Sequence, residues 1–202
     1  MADSTVIGVP AWRNALRMLP GRTVSLREPI ADDLPFLVSL LSLGDSTRFG
    51  IDEPISELSV QDFIERAARD RGNGVAAVWV ITLTTTRAVT GLMQVRQLDP
   101  MFEAAEWECT LLPSARGTGI FVDAARLAGS FAFGTLNTHR LEARVLLQSR
   151  RGQGALRKLG AVQEGVLRRS VCYGGEYFDQ VLWSMLREDW GEHWVSTEPR
   201  VH

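Results

Sequence analysis

The residues that could do chemistry fall in one short stretch. Leu112-Pro113-Ser114-Ala115-Arg116-Gly117-Thr118-Gly119-Ile120 lies between a run that alternates like a strand and a run with helical spacing. Glycines at 117 and 119 let the backbone turn tightly and bring successive N–H groups to one point, and the helix behind them adds its positive end. Such an arrangement can cradle a phosphate or pyrophosphate without a lysine, although a turn that only needs small residues reads the same way. The dinucleotide pattern GxGxxG is incomplete, because Val122 stands at its last position, and no Gly-Lys-Ser/Thr phosphate loop occurs. Just upstream, Glu106 and Glu108 are two apart on a strand and therefore share a face. A carboxylate there can accept a proton from an ammonium directly or through water, and two like charges side by side raise one pKa toward the useful range. The alternative is that the pair faces solvent or binds arginines on neighbouring strands.

Other reactive side chains add little. Cys109 beside the glutamates suggests a thiol nucleophile, but no histidine neighbours it in sequence. The histidines are His139, His193 and His202, without metal-ligand spacing, so no metal is expected. Cys109 and Cys172 read as buried thiols and not as a disulfide. Trp79, Trp107 and Trp183 fall in strand runs and read as core, Trp107 facing away from its two glutamate neighbours. The 22 basic and 24 acidic side chains are interspersed and give a formal charge of -2, so no nucleic-acid partner is expected. No apolar run is long enough to span a bilayer, and the first twenty residues lack the pattern of a secretion signal. The expectation is a soluble cytoplasmic protein with no membrane partner.

The elements that must position these residues can be read in order. With 202 residues, 45% of them hydrophobic, the chain suits one α/β domain with a substantial core. Residues 1–20 look peripheral, with Trp12, Leu16 and Leu19 on one short amphipathic helix between Pro10 and Pro20. A strand at 24–27 is followed by a helix over 31–41, a loop over 45–58, and a helix whose capped start is Ser59 with Asp62 and whose end is Arg71-Gly72-Asn73-Gly74. Strands at 76–83, 88–95 and 105–112 are joined by short turns and predict an antiparallel meander. Then come a helix over 120–134, a strand over 141–147, and a short helix over 155–159 closed by Gly160. Strands at 162–167 and 178–186 close the sequence around a Tyr-Gly-Gly turn.

Several short motifs recur in one order. They are Ala105-Glu106-Trp107-Glu108-Cys109, then Pro113, Arg116-Gly117-Thr118-Gly119 and Ala124-Ala125, then His139-Arg140-Leu141-Glu142-Ala143-Arg144-Val145, Leu156-Arg157-Lys158-Leu159-Gly160-Ala161 and Glu164-Gly165-Val166-Leu167-Arg168. The set closely resembles the GNAT acetyltransferases, in particular the branch related to the ribosomal-protein N-terminal acetyltransferases, from about Val24 to about Asp189. The resemblance implies an acyl-CoA N-acyltransferase fold: a mixed α/β domain whose central, largely antiparallel sheet is splayed at the cofactor site and flanked by helices. It implies an N-terminal extension at 1–20, the acetyltransferase domain at 21–190 and a tail at 191–202.

What the resemblance implies for the site is equally specific. The family's pyrophosphate loop, Gln/Arg-x-x-Gly-x-Gly/Ala, falls on residues 114–119, with Ser114 in place of the leading Gln/Arg and Arg116 as a substitute cation. Acetyl-CoA is then expected on Leu111, Leu112, Arg116, Gly117, Thr118, Gly119, Ile120 and Ser149, its pantetheine arm lying between the strands near 107–112 and 141–147. Catalytic candidates are Glu106, commonly acidic in this branch, and Glu108 as base, with Ser149 near the leaving thiolate. A backbone N–H near Cys109 to Leu111, at a strand irregularity typical of the fold, would hold the carbonyl oxygen. The family's Asn-x-x-Ser has become Ser149-Arg150-Arg151-Gly152, and Leu156 stands where many members have the tyrosine treated as general acid. Gly152 and Gly154 in this helix either permit close approach of a ligand or mark a helix that starts late. The expected acceptor is an amine-bearing small molecule or a protein N-terminus, transfer is direct, no metal takes part, and a homodimer fits the family. His139 reads as structural. The loop over 45–58, with Asp52, Glu53 and Glu57, lies where the family binds acceptors. Two other readings stand beside this one: a CoA-binding regulatory or scaffold protein that has lost turnover, and a different α/β enzyme whose glycine loop holds a nucleotide.

Overall fold

A computed structural model describes residues 9–43, 49–51 and 54–190. One sheet of eight strands organises them, in the order β1-β2-β3-β4-β5-β6-β8-β7. The strands are β1 (Leu19–Pro20), β2 (Val24–Arg27), β3 (Ala76–Leu83), β4 (Val89–Gln97), β5 (Ala104–Leu111), β6 (Arg140–Leu146), β7 (Val162–Tyr173) and β8 (Glu176–Leu186). All neighbours are antiparallel except β5 and β6. That parallel pair needs a crossover, and α4 (Ile120–Gly134) supplies it.

Period-two alternation gives the sheet two unlike faces. Trp79 and Ile81 of β3, Met93 and Val95 of β4, Trp107 of β5, Leu141 and Ala143 of β6 and Trp183 of β8 point to one side. There they pack with Ala124, Ala125, Ala128 and Phe131 of α4 and Leu156 of α5 (Arg150–Lys158). The three strand tryptophans are all buried, as expected of core residues. On the other side, Val78, Val80 and Leu92 pack under α2 (Leu34–Leu41) and α3 (Glu57–Asn73), together with Phe49 and Ile51. Farther along this second face, the strands carry charge instead.

Local chemistry sets the element ends. The helix read over 120–134 has those bounds. α3 begins three residues before the expected Ser59 start, because Ser56 is the cap: its hydroxyl accepts the Ser59 N–H at 3.1 Å while Ser59 Oγ accepts the Ser56 N–H at 3.0 Å. Its end is closed by Gly74 at φ +74°. α5 starts at Arg150 and not at 155, with the Ser149 hydroxyl accepting the Gly152 N–H at 3.4 Å, so the late-start reading of its glycines is wrong. The final hairpin is longer than read, its two-residue turn Gly174-Gly175 having both φ positive, which suits a tight twisted hairpin. Between Pro10 and Pro20 the chain is helical only in α1 (Ala11–Asn14), after which Ala15 is extended at φ -159°. Trp12 and Leu16 are nevertheless buried in the main core. Much of the loop expected at 45–58, including Asp52 and Glu53, lies outside the described residues.

Candidate active site

The sheet parts where β5 and β6 meet. Their pairing runs only from Ala104↔Arg140 through Ala105↔Leu141 to Glu106↔Glu142. Beyond it a cleft of about 840 Å³ opens, lined from β5 by Trp107 to Leu111, from β6 by Ala143 to Val145, and by the start of α4 and by α5.

The glycine loop borders this cleft. Gly117 and Gly119 adopt φ +84° and +90°, a region other residues enter at a penalty, and Gly119 caps α4. A Cβ at either position would meet no protein atom within 4 Å, so it is backbone conformation and open space, not packing, that asks for glycine. Thr118 is exposed and donates from its hydroxyl to the Ala115 carbonyl at 2.7 Å. Arg116 lies along the strand end, with Nε donating to the Leu111 carbonyl at 3.1 Å. The cleft is lined by the cations Arg116, Arg144, Arg150, Arg151 and Lys158 and, among carboxylates, by Glu108. Exposed backbone amides at a helix start, a basic rim and an apolar slot fit a polyphosphate joined to a long thin arm. CoA has that shape.

Behind the loop, Asp123 anchors α4 to the β1–β2 turn. Its Oδ2 accepts the Thr23 N–H at 2.7 Å, the Thr23 hydroxyl at 2.5 Å and the Val24 N–H at 3.2 Å. Desolvation pushes its pKa up, and these bonds together with Arg126 outweigh that, leaving it below the usual carboxylate range.

The two glutamates part company. Glu106 is buried, does not line the cleft, and is held between the guanidinium groups of Arg96 and Arg144, the arginine-bound alternative open to it from sequence. Glu108 does line the cleft, and Gln94 Nε2 donates to its Oε2 at 2.7 Å. The ion-paired face continues outward: Arg140 Nε is 2.8 Å from Glu142, and Arg140 also grips Glu164. Hydrogen bonds from Arg140 and Ser184 pull the Glu164 pKa down to about 2.

The strand irregularity expected at residues 109–111 is absent. β4 and β5 stay in register without a break from Gly91↔Leu111 to Gln97↔Ala105. Ordinary alternation supplies the donors instead. Leu112 N–H bonds the Thr90 carbonyl and Ala104 C=O accepts from Leu98, so even-numbered residues of β5 turn their backbone groups to β4. The N–H groups of Cys109 and Leu111 therefore face the parted side.

Of the expected cofactor residues, Leu111, Arg116, Gly117, Gly119 and Ser149 line the cleft. Leu112, Thr118 and Ile120 do not, Ile120 being buried as the first residue of α4. Leu156 lines the cleft while only 3% exposed, and brings no proton donor. Gly152 allows close packing of α5: a Cβ there would lie 2.8 Å from Val145 Cγ1. Sequence reasoning missed Arg144, Arg150, Arg151 and Lys158. The run Arg150-Arg151 at the start of a helix was the available signal. Burial pushes the Cys109 thiol up to about 12, which keeps it neutral and unsuited to nucleophilic attack. Cys172 is exposed, contrary to the buried reading, and both thiols are free. His139 is exposed. Among the described residues no cluster could hold a metal, and no helix is long and apolar enough to cross a membrane.

A splayed mixed sheet with a glycine loop at the start of its crossover helix defines the acyl-CoA N-acyltransferase fold. Comparison with known proteins agrees: the family model for the acetyltransferase (GNAT) domain matches residues 23–162. The chain belongs to the GNAT acetyltransferase family. It is 24% identical to spermidine N(1)-acetyltransferase of Escherichia coli over 161 residues, 79% of this chain and 84% of that one. Among solved structures, an acetyltransferase from T. thermophilus is 26% identical with TM-score 0.71, covering 93% of this chain and 98% of its own. Mycobacterium smegmatis RimJ in complex with CoA-disulfide is 20% identical with TM-score 0.75, covering 89% and 93%. The structural neighbours include ribosomal-protein N-acetyltransferases.

Proposed function

We propose that this chain transfers an acetyl group from acetyl-CoA to a primary amine, of a small molecule or of a protein N-terminus, by direct attack in a ternary complex. The observation that carries the reading is the cleft at the β5–β6 parting, where the glycine cradle and Glu108 border one continuous space. The RimJ complex with CoA-disulfide supports the ligand, and the likeness to spermidine N(1)-acetyltransferase supports an amine acceptor.

Acetyl-CoA brings the thioester carbonyl, and the chain does the rest. The N–H groups around Gly117 and Gly119, with the start of α4 behind them, hold the pyrophosphate, and Arg116, Arg150, Arg151 and Lys158 add charge at the rim. The N–H groups of Cys109 and Leu111 point to the parted side and stabilise negative charge on the carbonyl oxygen. Glu108 takes the proton of the amine, directly or through water. Glu106, engaged by two arginines, is left with structure. The Ser149 hydroxyl accepts from Gly152 and keeps its own O–H free to donate a hydrogen bond to the departing thiolate, the proton itself staying on Ser149. Residues 21–190 form the transferase unit.

Calorimetric titration with acetyl-CoA, beside a thiol-release assay over amines and peptides, tests this. Micromolar binding with acceptor-dependent release is expected, and absence of binding by CoA-free protein would refute it. One observation favours a second reading, a CoA-binding protein with reduced turnover: buried Leu156 occupies the place of the family's general-acid tyrosine. Binding without release from any acceptor would select that reading.

A further inference from the structure

We propose that Glu106 and Arg144 form a clamp across the point where the sheet parts, and that this ion pair sets the width of the acyl-CoA slot. The inference rests on the reading of the slot given above, and both side chains are positioning residues. Backbone pairing between β5 and β6 stops at Glu106↔Glu142. One residue farther along, Trp107 and Ala143 already line the cleft. Arg144 stands two residues beyond the end of pairing on β6, and its guanidinium reaches across to the Glu106 carboxylate on β5. Its other amino group lies 3.2 Å from Glu142, the β6 member of the last pair. At the apex, therefore, a side-chain bridge takes over where the backbone ladder ends.

This bridge is suited to hold a distance. The Glu106 side chain is 3% exposed, and a buried carboxylate that loses one cationic partner is strongly penalised. The planar guanidinium fixes direction as well as separation. Glu142 is in turn gripped by Arg140, and Arg140 by Glu164, so the anchor continues outward over β6 and β7.

The second partner of Glu106 gives a built-in control. Arg96 sits directly opposite Glu106 on β4, in a stretch where β4 and β5 are continuously paired. Its ion pair spans strands that the backbone already joins. Arg144 spans strands that the backbone has released. Loss of Arg144 should therefore alter the slot, whereas loss of Arg96 should not. Because Glu106 does not itself line the cleft, any effect it has on CoA must pass through Arg144 and the strand spacing.

The test is calorimetric titration of CoA into wild type, Glu106→Gln, Arg144→Met, Arg96→Met and the double variant Glu106→Gln/Arg144→Met, each checked for folding by thermal melting. Glu106→Gln and Arg144→Met should each weaken CoA by about tenfold, and the double variant should be no weaker than the worse single, as coupled neighbours behave. Arg96→Met should stay within about threefold of wild type. Turnover at saturating substrates separates this role from proton transfer: a base at Glu106 would lose roughly 100-fold or more in kcat with CoA affinity unchanged. Wild-type affinity in Glu106→Gln overturns the clamp, as do additive single effects, which would make Arg144 a mere ligand contact. If Glu106→Gln does not fold, the Arg144→Met and Arg96→Met pair decides, and equal affinities overturn the proposal. Failure of wild type to bind CoA would remove the slot reading itself, an outcome distinct from intact binding shared by every variant.

Discussion

Replacing Gly119 by alanine separates the cradle from the fold. Gly119 sits at φ +90° and ψ -12°, immediately before the first residue of α4. An added Cβ would meet no protein atom within 4 Å, so the penalty in the free protein is backbone strain alone, about 1–2 kcal/mol. For a chain of this size that lowers the melting temperature by roughly 2–8 °C. The space the Cβ would enter is open and borders the cleft, the place assigned to the pyrophosphate. A methyl group there keeps the anion from close approach to the amides, and losing even one charge-assisted bond of about 1.5–3 kcal/mol weakens CoA by roughly 10- to 150-fold. Thermal melting and calorimetry on the same sample read both quantities. The reasoning is refuted if the melting point falls as stated while CoA affinity stays within twofold of wild type. That result would make the glycine pair a turn that needed only backbone freedom.

Glu108→Gln should lower kcat by about 100- to 1000-fold with CoA affinity unchanged, measured by thiol release and calorimetry, since its carboxylate borders the cleft while Gln94 still has a partner in the new amide. Asp123→Asn should lower stability by about 1 kcal/mol at pH 7, a value discounted for solvent screening because its bonds to Thr23 are exposed. The folded pKa of Asp123 lies below its ordinary value of 3.8, so its contribution is complete above that pH and fades as pH falls through the folded value; the two melting curves should converge there. Gly152→Ala should destabilise by about 1–3 kcal/mol, because its Cβ would lie 2.8 Å from Val145 Cγ1 and 2.9 Å from Ser149 Oγ. Gly154→Ala, with nothing within 4 Å in the same helix, should stabilise by up to about 1 kcal/mol, and denaturant titration of the two variants checks the contrast.

The elements were legible wherever one physical signal governed them. Helix α4 was readable from its apolar stripe, and β3 from a continuous apolar run buried on both faces. The starts of α3 and α5 were misread because their caps, Ser56 and Ser149, lie outside the apolar stripe on which the reading leaned. The long hairpin was cut short at Leu167 because β7 is an edge strand with little buried side chain, so alternation fades while backbone pairing goes on.

In the site, sequence order could place Glu106 and Glu108 on a common face but could not divide their roles. Same-face geometry is local, a consequence of the strand repeat. Which carboxylate meets a cation is decided across strands, by register. Arg96 is brought opposite Glu106 by the β4–β5 turn, and Gln94 opposite Glu108 by the same register two residues away. Arg144 arrives from a strand reached only after the whole crossover of α4, 38 residues later in the chain. The same separation explains why the basic rim went unseen: Arg116 stands at one parted strand's end, while Arg150, Arg151 and Lys158 follow the other. It also accounts for the regular strand found where an irregularity was expected. A bulge was expected at residues 109–111 to free an N–H, yet an unbroken β4–β5 ladder leaves the N–H groups of Cys109 and Leu111 directed at the gap, because the parallel neighbour that would have taken them has already diverged. The site is thus made by where a regular sheet stops pairing, a long-range event that the residues announce only through the glycine loop beginning the crossover helix.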